Sequence, residues 1–86
     1  MKVQVEVSLY PLRTATLTGP IDDFVEHLRR AGFEVEIGPM GSRINGECKD
    51  IFGALGEAFE DAAGGSDAVL TVKASNACPS GRREGE

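Results

Sequence analysis

Three short stretches hold the residue types that could do chemistry. They are Ser8 and Tyr10 in "SLYPL", Met40 and Ser42 in "GPMGS", and Ser75, Asn76 and Cys78 in "ASNACPSG". Hydroxyls donate and accept hydrogen bonds, and a carboxamide sets a donor beside an acceptor. Tyr10 adds an aromatic face, and Met40 adds a polarizable, adaptable wall. Such a set suits noncovalent binding of a small molecule. Each residue also has a plainer reading: Tyr10 as a sheet-interface aromatic, Met40 as loop packing, Asn76 bonded to local backbone, Cys78 as a small buried thiol. Catalysis and metal binding find less support. Cys48 and Cys78 form no CxxC, and with the lone His27 they match no zinc spacing. A nucleophilic cysteine needs a nearby base, and the only histidine lies on a helix. The Gly38/Gly41 turn lacks the lysine and following helix of a phosphate loop. No catalytic residue, metal or cofactor is expected.

Positioning these residues falls to a regular succession of elements. Val3, Val5, Val7 and Leu9 alternate with Gln4, Glu6, Ser8 and Tyr10, a half-buried strand that Pro11 ends. Ile21, Phe24, Val25 and Leu28 form one apolar helical stripe. Pro20 is expected as the first helical residue after a Thr18 or Gly19 cap, with Asp22, Asp23 and Glu26 near the start and Gly32 as the stop. Phe33, Val35 and Ile37 alternate with Glu34 and Glu36 as a second strand, and "SRINGE" reads as a third. A second helix buries Ile51, Phe52, Leu55, Phe59 and Ala62. Its Gly53 and Gly56 imply close approach to the sheet. "AVLTVKAS" is the last strand. The order is βαββαβ, which predicts an α+β, ferredoxin-like sandwich: a four-stranded antiparallel sheet with both helices on one face. The first and last strands are then antiparallel neighbours on an open face. Their C-terminal ends lie at opposite edges, so a single site needs either two surfaces or a second subunit.

The bulk properties agree with a binding domain. The 86 residues make one domain, residues 1–79, and the apolar-free stretch 80–86 reads as a disordered tail. A core this small favours oligomerisation. Nine basic against fourteen acidic residues give a net charge of −5. With no basic cluster, nucleic acid is not an expected partner. No stretch reads as a leader or a membrane span, so a cytoplasmic protein with reduced thiols is expected.

"SLYPL" (8–12), "VEIGPMGSRINGE" (35–47) and "SNACP" (75–79), in this order and spacing, resemble the signatures of the YkoF-type family, the thiamine/hydroxymethylpyrimidine-binding group. The resemblance spans Val3 to Pro79. It implies a ferredoxin-like fold, homo-oligomers (dimer or tetramer) built through the sheets, and a thiamine-related ligand held without covalent chemistry. On that reading Ser8, Tyr10, Met40, Ser42, Ser75, Asn76 and Cys78 hold the ligand. An aminopyrimidine is flat, with ring acceptors and an exocyclic donor. A thiazolium cation could meet the Tyr10 ring or a carboxylate such as Glu6 or Glu47. The acidic chain disfavours a diphosphorylated ligand. Two alternatives remain: a ligand-free homo-oligomeric interaction module, and an acylphosphatase-like hydrolase using Arg13 and Asn45, although no glycine-rich cradle follows the first strand.

Overall fold

The computed structural model describes residues 1–13 and 18–77. Cys78 and the 80–86 tail lie outside the described residues. The elements are β1 (Lys2–Pro11), α1 (Thr18–Arg30), β2 (Val35–Ile37), β3 (Ser42–Glu47), α2 (Cys48–Ala63) and β4 (Ala68–Ser75). The sheet order is β2-β3-β1-β4, and every neighbouring pair is antiparallel. This is the ferredoxin-like α+β arrangement.

Alternation in β1 sorts its side chains as expected. Val3, Val5, Val7 and Leu9 are buried, and with Ile44 they face Phe24, Val25 and Leu28 of α1 and Ile51, Leu55 and Ala58 of α2. Burial of these aliphatic and aromatic groups is the main favourable contribution to the fold, at about 1.5–3 kcal/mol for each large side chain.

Several local expectations need correction. Helix α1 begins at Thr18, so Pro20 is its third residue and the first turn holds no acid. Proline is tolerated there because the first-turn amides have no intrahelical acceptor. Ile37 is 63% exposed, because β2 is a three-residue edge strand that ends before the core covers it. Phe52 is 44% exposed rather than buried; Ala54 and Ala58 occupy the inward face of α2 beside Ile51 and Leu55. Gly53 and Gly56 therefore have no packing role. A side-chain Cβ at either would meet nothing within 4 Å. Gly32, by contrast, has a φ of +100° and closes α1 as expected.

Candidate functional site

Strand β1 outruns β3. Their pairing stops at Val7 opposite Ser42, whereas β1 continues through Pro11, supported only by β4 on its other side. The chain enters β3 after Gly41 through a tight turn in which the Gly38 amide donates to the Gly41 carbonyl at 2.8 Å. A hollow of about 320 Å³ is left between the β1 overhang, this turn and the start of α1. Leu9, Ile21, Phe24, Ile37 and Met40 line it together with Ser42, and Ser8 and Tyr10, which alternate to the open face of the sheet, border it along the β1 edge. Among the described residues no charged side chain lines it. The volume is at the lower end of small-ligand pockets, large enough for one compact ring system.

Four of the seven expected site residues thus converge: Ser8, Tyr10, Met40 and Ser42. Ser42 is buried, whereas Tyr10 is 58% and Met40 82% exposed, so the pocket has a firm floor and an open rim. Ile21, Phe24 and Ile37 line the same hollow. Their apolar spacing marked them only as core or strand residues, and nothing in the sequence set them beside the turn.

Ser75 and Asn76 lie elsewhere. Ser75 pairs with Gln4, six residues along β1 from Tyr10, which puts them about 20 Å apart. There the Ala77 amide donates to Ser75 Oγ at 3.1 Å, and Asn76 Nδ2 lies 3.2 Å from Met1 Sδ. Within one subunit these residues serve the chain end and do not reach the pocket.

Neither candidate carboxylate lines the hollow. Glu47 sits at the Met1 end, where the Met1 amino group donates to Glu47 Oε1 at 2.9 Å and Lys2 approaches to 3.6 Å. The hydrogen bond from that amino group, then its charge, holds the Glu47 carboxyl below its ordinary range. Glu6 lies on the open face, opposite Arg43 and Lys73. Arg13 and Asn45 do not form a catalytic pair. Arg13, ion-paired to Asp67, follows the Pro11 end of β1, and Asn45 pairs with Gln4. His27 Nδ1 lies 2.8 Å from Asp61 Oδ2 on α2. Cys48, at the other end of α2, is about 20 Å away along the helix. Among the described residues no group of three His, Cys, Asp or Glu side chains is placed to hold a metal ion, and no helix is long and apolar enough to cross a membrane.

A larger, more open depression of about 630 Å³ lies by the β2 edge, with Arg29, Phe33, Glu36 and Arg43 in its wall. Its two guanidinium groups already have partners: Arg43 Nη2 donates to Glu36 Oε1 at 2.8 Å, and Arg29 Nη2 to the Val35 carbonyl at 3.2 Å. Arg29 in this way caps the short edge strand.

The family model described as "Thiamine-binding protein" matches residues 5–77, a span that contains the whole hollow. Among solved structures, a hypothetical protein from Methanocaldococcus jannascii is 26% identical with a TM-score of 0.79, over 99% of this chain and 84% of that one. A candidate thiamine biosynthesis/salvage protein from Thermotoga maritima is 24% identical with a TM-score of 0.77, over 86% and 82% of the two chains. A protein from Streptococcus pneumoniae is 22% identical with a TM-score of 0.80, over 87% and 86%. No curated protein matches.

Proposed function

Because the chain belongs to the thiamine-binding protein family, we propose that it is a noncatalytic binding protein for thiamine or its hydroxymethylpyrimidine moiety, acting in the cytoplasm as a homo-oligomer. The observation that carries this reading is the hollow itself. Ser8, Tyr10, Met40 and Ser42 all border one hollow of about 320 Å³. The pyrimidine stacks between Tyr10 and Met40, and its nitrogens find Ser8 and Ser42. Burial of a flat ring against these side chains supplies affinity, and the hydroxyls supply orientation. The thiazolium cation lies toward the open rim against the Tyr10 ring, a contact of ~0.5–2 kcal/mol. Cys78 is part of the reading only through the family resemblance. Ser75 and Asn76 join it only if another subunit carries them to the pocket.

The uncharged wall also favours an unphosphorylated ligand. Several phosphate charges would meet no basic side chain in the hollow, on a chain of net charge −5. Thermal unfolding tests both points. At ~100 times its dissociation constant a ligand stabilises the native state by ~2.7 kcal/mol, and each kcal/mol raises the Tm of a domain this size by about 4–8 °C. Thiamine and hydroxymethylpyrimidine should each raise Tm by this route, and thiamine diphosphate far less. No shift with any of the three at saturation would refute the reading and leave an assembly module.

A further inference from the structure

The hollow under the β1 overhang grades from a buried apolar floor to an open mouth. Val7, Leu9, Phe24 and Val25 line it and are each at most 6% exposed, whereas Tyr10, Ile37 and Met40 at its mouth are 58–82% exposed. One side chain at floor level is polar. Ser42 is directly opposite Val7 across β3 and β1, so it shares the helix-side face of the sheet, and it is 9% exposed. Ser42 is also the one polar residue buried among the described residues. Among those residues no hydrogen bond reaches its hydroxyl. Native folds leave few buried polar groups unpaired, because each costs free energy. The Ser42 hydroxyl is thus a hydrogen-bonding group set in an apolar floor and kept for whatever enters the hollow.

We propose that the hollow selects pyrimidines with a methyl group at C2, that this methyl rests on the buried floor, and that Ser42 determines the selectivity by donating to the ring nitrogen beside it. The proposal rests on the thiamine reading above and gives the ligand a direction. Hydroxymethylpyrimidine carries a methyl at C2, an amine at C4 and a substituted methylene at C5. That methylene bears a hydroxyl in the free pyrimidine and the thiazolium in thiamine. Among the described residues no charged side chain lines the hollow, so a cation at C5 stays at the mouth, in water. C2 lies directly across the ring from C5. With C5 outward, the methyl is carried inward to Leu9, Phe24 and Val25. A ring nitrogen flanks C2 on either side, and both are acceptors. The one nearer β3 meets the Ser42 hydroxyl, and the C4 amine, beside C5, stays nearer the mouth.

This placement rejects the pyrimidines of nucleic acids. Cytosine, uracil and thymine all have a carbonyl at C2 where the ligand has a methyl. As free bases they also carry a hydrogen on the adjacent nitrogen. Pointed inward, the carbonyl and that N–H are two polar groups facing a floor with one hydroxyl. Ser42 can serve either, and the other is buried against side chains that neither donate nor accept. Pointed outward, the carbonyl is hydrated, but the C5 substituent is then driven onto the floor.

Calorimetric titration of the parent with two ligands tests the selectivity. One is hydroxymethylpyrimidine. The other is 5-hydroxymethylcytosine, which has the same C4 and C5 groups and differs by the C2 carbonyl and the N1 hydrogen. Hydroxymethylpyrimidine should bind roughly tenfold or more tightly. Ser42→Ala should weaken its binding about tenfold, the loss of one hydrogen bond. Because Ser42 has no hydrogen-bond partner in the free protein, that variant should melt no lower than the parent. A serine with a structural role would lower Tm instead. Nuclear Overhauser contacts on the parent fix the direction. The C2 methyl protons should contact the methyl groups of Leu9 and Val25, and the C5 methylene protons the Met40 methyl. Equal affinity for the two pyrimidines, parental affinity in Ser42→Ala, or C2 methyl contacts at Met40 alone would each overturn the proposal and leave the thiamine reading standing. The ligand comparison and the contacts use the parent, so they decide the matter even if Ser42→Ala folds poorly. Failure of both thiamine and hydroxymethylpyrimidine to bind would overturn the functional reading and this proposal together.

Discussion

Gly41→Ala will lower stability by about 1–3 kcal/mol and open the pocket with it. A Cβ at Gly41 would sit 2.9 Å from the Val7 carbonyl oxygen, closer than such atoms approach, and that oxygen belongs to the backbone. No rotamer change relieves that contact. Either β1 or the turn must move, and the turn carries Met40 on one side of Gly41 and Ser42 on the other. Urea denaturation of the variant measures the cost. The same substitution at Gly53 or Gly56 supplies the control. There the new methyl group meets nothing within 4 Å, on a regular helix. Those variants should gain about 0.5–1 kcal/mol each, since alanine loses less backbone entropy than glycine. Opposite signs from one chemical change would show that Gly41 is fixed by close approach of β1 and the α2 glycines are not. A Gly41→Ala protein as stable as the parent would remove the turn as the rigid wall of the site.

The second large effect is on binding. Tyr10→Ala removes the aromatic side chain from the border of the pocket. Thiamine affinity should fall about tenfold, in line with loss of a ring–cation contact and its buried area. Met40→Ala should cost a similar or smaller factor, as thioether contacts with a flat ring are weaker. Asn76→Ala should leave affinity unchanged, because Asn76 lies about 20 Å from Tyr10 along the sheet. Calorimetric titration of the three variants measures these differences. Equal loss in Tyr10→Ala and Asn76→Ala would instead mean that a second subunit brings the two strand ends together.

The contrast between Tyr10 and Asn76 also marks how far the sequence could be read. The alternation of Val3, Val5, Val7 and Leu9 with polar residues shows up directly in the burial of β1, because a strand's period of two leaves little freedom once one face is buried. Strand order followed from βαββαβ connectivity. Phe52 escaped the same logic: α2 buries alanines at 54 and 58, and a hydrophobic pattern overlooks small residues while it counts large ones. The start of α1 was misplaced because proline is accepted at more than one first-turn position. For the site, residue types alone pointed to Ser8, Tyr10, Met40 and Ser42. Their convergence depends on register, with Val7 opposite Ser42 and four residues of β1 left over. Register between distant strands is set by packing and turn geometry together, and no local pattern in "SLYPL" or "GPMGS" encodes it. The antiparallel run of β1 and β4 was legible, and it already placed the Ser75 end apart from the Tyr10 end.

The most direct test of a thiamine-related site under the β1 overhang is a titration of the ¹⁵N-labelled protein with thiamine, followed by backbone amide shifts. The account predicts saturable changes clustered at Ser8–Tyr10 and Ile37–Ser42, with Gly46–Cys48 and Ser75–Ala77 unmoved. Changes centred on the Met1, Cys48 and Asn76 end, or none at saturating thiamine, would contradict it.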